Sequence, residues 1–421
     1  MRTNQTARLL LLSSVATAAL MSPAMALDAQ VFVDRVAEVY KHTGYDLSFG
    51  AATLDGDTVT VDGVTVGFID AGAGADAMKP MTFDTELTFS GVAEGSDGSY
   101  TVESLTIPDI DTEFASAPEP VGHVTASDIR ADSLYIPAGD TVPAVLLLQL
   151  VGSLSSGPVV VTRDGEEVFS VEGMEATSTF NPSQGTADLV DLNSVLNISG
   201  ISLDLSTVGE EDPSAAATIE ALGLTSITGN ISQDFDWSMA DGHMVLNEFL
   251  FDFADVGALD LTADFTGLTP AVLDQLYAMQ AAMATTGDAA PTDEQSQAQM
   301  MQGMAIMQGV NIVGASVRYD DASLAGKLLE YFAKQSGTDR AGFVAGLKAQ
   351  LPLMLAGTGI PALNDVVIPP VEAFLDDPQS LEIKVAPPSP TSLLVLMAAA
   401  ANPAGLITAL GLAVEANTTA E

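Results

Sequence analysis

ITGNISQDFDWSMADGHMVLNEFLFDFADVGALDLTADFTGL, residues 227–268, reads as three antiparallel strands joined by short turns. It carries the only tryptophan of the chain, Trp237, together with Phe235, Phe249, Phe251, Phe253 and Phe265. In the first run Ile231, Phe235, Trp237 and Met239 alternate with Ser232, Asp234, Asp236 and Ser238. The second points Phe249, Phe251 and Phe253 one way. The third alternates Leu259, Leu261, Ala263 and Phe265 with Asp260, Thr262, Asp264 and Thr266. Successive side chains of a strand point to opposite faces, so this is a sheet with one apolar face and one acidic, wetted face.

The same period of two extends upstream. Val59, Val61, Val64, Val66 and Phe68 flank Asp62-Gly63, which predicts a two-residue hairpin turn because both turn positions need positive φ. Asp-Gly recurs at 55–56, 97–98, 164–165 and 241–242. Between these pairs lie strand-like runs at 81–89, 100–107, 123–136, 159–180 and 187–205. Strand, tight turn and strand again is the signature of a long antiparallel meander rather than β–α–β alternation. A helix is expected over 27–45, where Val31, Phe32, Val36, Val39 and Tyr40 recur at helical spacing before Gly44. The apolar run 142–154 predicts a short buried helix crossing the sheet, and Asp212-Pro213 opens a second one.

Downstream the pattern becomes helical. Thr269 caps and Pro270 begins a helix with Leu268 and Leu273 placed as a hydrophobic staple. A polar break at 285–297 precedes a Met-rich helix (Met300, Met301, Met304, Met307). A lone strand at 311–320 places Val313, Ala315, Val317 and Tyr319 on one side. Helices follow at 324–335 and 340–355, a short one is opened by Pro369-Pro370, and Leu381, Ile383 and Val385 form a strand. Residues 391–414 carry no charge. The break at Asn402-Pro403 argues against a membrane span there, since proline frees a backbone carbonyl that lipid cannot satisfy. The fold expected is α+β: a long curved antiparallel β-meander with helices packed on one face, mostly in the C-terminal third. The division is 1–26 as a leader, 27–268 as N-terminal helix and meander, and 269–421 as a helical and β region packing on the sheet.

Residues 1–26 have the form of an export signal: Arg2 and Arg8, an apolar stretch at 9–20, and Ala24-Met25-Ala26 as a cleavage site. The expected location is the periplasm, with secretion as the alternative, and no stable membrane span after cleavage. There is no cysteine, so neither disulfides nor thiolate chemistry is available. Net charge is −43, from 56 acidic against 13 basic residues, and loss of Arg2 and Arg8 makes it more negative. A phosphate backbone is bound by clustered Lys and Arg, so nucleic acid is excluded as a partner.

Chemistry-bearing motifs are sparse. His42, His123 and His243 show no metal-ligand spacing, and no nucleophile elbow or phosphate-binding glycine loop is present. The glycine-rich 71–77 reads as a turn. Carboxylate pairs at Asp55/Asp57, Asp109/Asp111 and Asp234/Asp236 lack the spacing of known calcium loops and read as solvated strand faces. No metal, cofactor or enzymatic activity is expected. The sequence points instead to an apolar groove between the aromatic sheet and the helices after it, formed by Phe235, Trp237, Phe249, Phe251, Phe253, Leu276, Met279 and Met304. A stripe of Met279, Met283, Met300, Met304 and Met307 would line or cap it, methionine being suited to irregular apolar surfaces.

Three stretches resemble proteobacterial envelope proteins grouped as YdgA-like and AsmA-like: the hairpins at 237–268, VGASVRYDDASLAGKLLEYF at 313–332, and the tail FLDDPQSLEIKVAPPSP with NPAGLITALGLAVEAN between 374 and 417. The resemblance implies a curved sheet with an apolar groove for lipid. A cleavable leader in place of a retained N-terminal anchor departs from that pattern and argues against bridging a membrane. The sequence thus leads to an exported, non-enzymatic protein that binds or carries lipid or another hydrophobic ligand. The alternatives are an envelope assembly protein with protein partners and no small ligand, and a hydrolase built around His243.

Overall fold

The computed structural model describes residues 27–69, 80–115, 121–139, 142–182, 190–206, 213–286, 293–400 and 403–419. The leader, the glycine-rich 71–77 and Asp212 lie outside them. The fold is α+β: among the described residues, twenty-one strands form one antiparallel sheet accompanied by ten helices.

α1 (Ala29–Lys41) is capped by Asp28, whose carboxylate accepts from the amides of Gln30 and Val31. Its Phe32, Val33, Val36 and Val39 are buried. β1 (Tyr45–Phe49) and β2 (Ala52–Asp55) form one bent strand on β3 (Thr58–Phe68). The hairpin turn is therefore Gly56-Asp57, directly after Asp55. Asp62-Gly63, expected as a turn, lies inside β3, where Gly63 (φ +83°) forms a bulge against β4 (Met81–Ser90). A left-handed glycine serves either purpose, and Asp55↔Thr58 pairing had already closed the hairpin. β1 and β2 were not foreseen.

β5 (Ala93–Glu94) pairs with β6 (Tyr100–Ile107), which continues past Pro108 as β7 (Ile110–Ala115). β8 (Val121–Ala126) and β9 (Ile129–Ile136) return antiparallel to β7 and β6. The expected helix at 142–154 shrinks to α2 (Ala144–Leu147). Residues 153–156 become β10 (Ser153–Ser156), drawn into the ladder between β9 and its next neighbour. β11 (Val159–Arg163), β12 (Glu166–Val171), β13 (Gly173–Pro182) and β14 (Val190–Asp204) follow. Each pair β6/β7, β8/β9, β10/β11 and β12/β13 is a single long strand with one irregularity. These breaks align at Pro108-Asp109, Asp128 (φ +54°), Gly157-Pro158, Glu172 and then Gly200 of β14 (φ +62°). The Asp128 amide donates to Asp109 Oδ1 (3.4 Å), Gly157 N to Ser127 O (2.9 Å), and Glu172 N to Ser199 O (3.0 Å). Bulged residues bend their strands, so five aligned breaks crease the sheet and give it curvature.

α3 (Pro213–Leu222) leads to β15 (Ser226–Ser238), β16 (His243–Phe253) and β17 (Gly257–Thr266), the three strands expected at 227–268. α4 (Pro270–Thr286) and α5 (Asp293–Gly309) precede β18 (Asn311–Asp321), which pairs with β17, so the sheet runs on without a break across residue 268. α6 (Leu324–Gln335), α7 (Arg340–Ala356) and α8 (Leu363–Asp376) come next. α8 runs through Pro369 and Pro370 instead of starting at them, held along its length by α7, β19 (Ser380–Val385) and β21 (Leu412–Ala416). β20 (Thr391–Ser392), α9 (Leu393–Ala400) and α10 (Pro403–Leu410) complete the chain. The helices group at the two ends of the strands. α3, α6, α7 and α8 pack in series at one end, and α2, α4, α5, α9 and α10 at the other, while α1 lies on β1, β2 and β9.

Gly50, between β1 and β2, sits so close to β3 that a Cβ there would lie 1.7 Å from the Asp62 carbonyl oxygen. Gly50→Ala is expected to lower stability by roughly 3 kcal/mol, the scale of an overpacked site, read from the urea midpoint.

Candidate functional site

Register fixes which side chains share a face, because cross-strand partners point the same way. One apolar row runs Val59, Phe89, Leu105, Ala131, Leu154, Ala176 and Leu196 through successive pairings of β3, β4, β6, β9, β10, β13 and β14. From Ile198, on the same face of β14, a second row runs Ile231, Phe251, Leu259, Tyr319 and Leu381 to Ala416 on β21. Together they run from β3, next to the edge strands β1 and β2, to the opposite edge strand β21.

Two bulges keep this face apolar. Phe235 pairs with Leu246 while Asp234 pairs with Glu248, leaving Asn247 as an extra residue. Met244 and Leu246 thereby join Phe249, Phe251 and Phe253 on one face, although their parity along the chain is opposite. Asn247 turns to the polar face and donates to Asp236 (2.7 Å) and Asp234 (3.4 Å). Likewise Phe265 pairs with Ile312 and Asp264 with Gly314. Val313, expected on the apolar side, is thus the bulged residue, and Ile312 takes its place.

Coverage of the apolar face is uneven. At the β3–β9 end α1 closes over it: Phe32 packs edge-to-face on Phe89 and Tyr100, with ring centroids 5.3 Å apart in both cases. Arg35 fastens the helix by donating to the carbonyls of Pro137 (2.8 and 2.6 Å) and Gly139. Beside that contact remains a cavity of about 260 Å³ walled by Val36, Tyr40, Phe49, Val64, Phe83 and Leu105 among others. Burial, with Tyr45 adding to it, pushes the Tyr40 phenol up. A second, smaller core holds Leu192, Trp237 and Met239. Trp237 donates its indole N–H to the Leu268 carbonyl (2.8 Å), and a cavity of about 200 Å³ lies against it. Between these ends the face is half-buried, and Leu154, Val317 and Ile383 are exposed.

Of the residues expected to form one groove, Phe235, Trp237 and Leu276 do meet, lining the smaller cavity with Leu148, Leu192, Met244, Leu268 and Leu273. Phe249, Phe251 and Phe253 share the apolar face but lie further along β16, with Phe249 and Phe251 in ring contact (4.5 Å between centroids). Met279 is half-buried on α4 outside that cavity. Met304 points to solvent, as do Met300 and Met301. The side chain of Met283 is outside the described residues. Leu148, Leu192 and Met244 were missed, since only register reveals them. The larger cavity under α1 was missed as well. Its signal was the apolar face of 27–45 beside a valine-rich hairpin.

The opposite face is mostly polar, with Val195, Val245 and Leu250 set among its acidic side chains. His123 bonds Asp111 (2.6 Å) and His243 bonds Asp264 (2.8 Å). Among the described residues no group of side chains is arranged to hold a metal ion. Arg318, nearly buried, joins Asp320, Glu382 (3.3 Å) and the Thr418 carbonyl (2.7 Å), tying β18, β19 and the end of the chain. Near it one carboxyl oxygen of Asp260 is buried without a partner. Burial, then the Glu248 charge, pushes the Asp260 carboxyl above its ordinary range.

A family model described only as "Uncharacterized protein" matches residues 250–417, from within β16 to just past β21. No curated protein matches the chain.

Because Asp260 is more acidic unfolded than folded, its ionisation opposes folding once pH rises through the folded value. Asp260→Asn is therefore expected to raise the urea midpoint at pH 7. The gain should vanish below about pH 4, where the carboxyl is protonated in both states.

Proposed function

We propose that this chain is an exported, non-enzymatic periplasmic protein that carries or binds a hydrophobic ligand, such as a lipid acyl chain, along the apolar face of its sheet. The continuous apolar row from Val59 to Ala416, half-covered over most of its length, is the observation that supports this reading. Monomeric proteins rarely leave a contiguous apolar surface of this kind without a partner for it. Cavities of about 260 and 200 Å³ lie along the same face. Each exceeds the 150 Å³ apolar void that is known to hold a benzene-sized guest, so each is roomy enough for part of a hydrocarbon chain. The export signal at 1–26 motivates the compartment. No described helix is long and apolar enough to cross a membrane.

Trp237 is the only tryptophan and borders the smaller cavity, so its emission reports occupancy directly. Titration with a bromine-labelled fatty acid is expected to quench that emission saturably. Val317→Asp with Ile383→Asp, on exposed positions of the row, is expected to weaken uptake about tenfold, the ratio that loss of one buried aliphatic contact implies. Protein that takes up no fatty acid, and comes from cells with no extractable lipid, would overturn the proposal.

A further inference from the structure

The helices at one end of the strands form a large uncharged part of this acidic molecule. No Asp, Glu, Lys or Arg occurs in residues 275–287, 295–317 or 385–414, in a chain that is 16% charged overall. These segments supply most of α4, α5 and β18 and all of α9 and α10. They gather in space: α5 packs on α4 and α9, α9 on α10, and the Gln302 side chain donates to the Gln275 carbonyl (3.3 Å). Their outer surface mixes apolar side chains with uncharged polar ones such as Gln275, Gln297 and Gln308. Met300 and Met301 are 60% and 61% exposed, Val395 and Met397 53% and 58%, with Met304 and Tyr277 beside them.

We propose that this helical end seats on the surface of an electrically neutral lipid bilayer. Charge decides among the possible occupants. A second copy would bring another −43 against the first, at a contact that holds no basic residue to offset it. A protein partner is usually gripped by arginine, tryptophan or tyrosine anchors ringed with polar groups, and this patch presents one tyrosine and no arginine. A zwitterionic bilayer asks for none of these. It accepts unbranched, flexible methionines among the acyl chains and a tyrosine at headgroup level. It also imposes little repulsion on a body whose contact segments 275–287, 295–317 and 385–414 carry no charge. The patch lies at the strand ends where Trp237 and Leu268 border their cavity, but the inference stands whether or not a ligand occupies the sheet.

The protein as isolated from cells should float with phosphatidylcholine vesicles. Replacing part of the lipid with phosphatidylglycerol should weaken binding at low salt. Added salt should restore it, as screening shortens from about 30 Å at 0.01 M to about 3 Å at 1 M. That is the reverse of the salt response of a basic peripheral protein. Val395→Asp with Met397→Asp is expected to reduce the bound fraction by about tenfold or more. Both positions are exposed, and an unchanged circular dichroism spectrum confirms that the variant folds. Leu353→Asp, on an exposed apolar site of α7 at the opposite strand ends, should leave binding unaltered. Three results would overturn the proposal. One is equal loss in the Leu353 variant, meaning adsorption by any exposed apolar group. Another is binding that strengthens with anionic lipid at low salt. The third is no vesicle binding, with the Val395/Met397 substitutions instead dispersing an oligomer or protein complex.

Discussion

Cross-strand pairing without loss of face is the constraint on which the molecule depends. In a sheet this long, a one-residue slip anywhere turns every later side chain to the wrong side. The chain contains such slips at Asp62/Val64, Ile198/Ile201, Asp234/Phe235 and Asp264/Phe265, yet apolar side chains stay on the same face across each of them. Each slip is matched by a change in sequence parity. Leucine and methionine sit at even positions before Asn247 and phenylalanine at odd positions after it. The sequence therefore encodes the bulge and the pattern together, and each would be faulty without the other.

The polar face supplies what fixes those slips in place. Asn247 is held by Asp234 and Asp236, and Asn193 donates to the same Asp236 (3.0 Å). Asn230 accepts from the Gly200 amide at the crease (3.0 Å). These are short side chains bonding where the ladder is irregular. The large excess of negative charge is also borne on this side, where water can solvate it. Where carboxylates crowd, as around Glu248, Asp260, Asp320 and Glu382, the cost appears in the raised Asp260 carboxyl and is offset locally by the doubly engaged Arg318.

Period-two alternation made the meander legible, and Asp-Gly pairs located most of its turns. Asp62-Gly63 shows the limit of that signal. The same dipeptide makes a turn or a bulge according to which pairing closes first, and that is decided by residues across the hairpin. Residues 153–156, SLSS, are too short and mixed to declare themselves a strand; their neighbours on both sides recruit them. The groove was half legible for a related reason. Phe235, Trp237 and Leu276 could be grouped from strand faces and helix spacing. Leu192 and Leu148 arrive from elements far away in the chain, and Met304 was assigned inward because a methionine stripe resembles core. On α5 it is Ile306 that is buried, as is Val310 just past the helix, while most of the methionines look outward.

The two ends of the apolar face are closed to different degrees, and the cause is local. Under α1 the sheet offers β-branched valines and phenylalanines, and edge-to-face rings hold the helix at a set height. Arg35 pins it from the other side, and a cavity remains beside Tyr40. The loop and first turns of α4 lean on Trp237 through Leu268, Leu273 and Leu276, and α8 packs on β19 and β21 with Phe374 against Tyr319. Helices that grip strand ends stabilise a sheet without filling its face. Both ends therefore keep an apolar cavity beside their helices, and the face between them is half-buried.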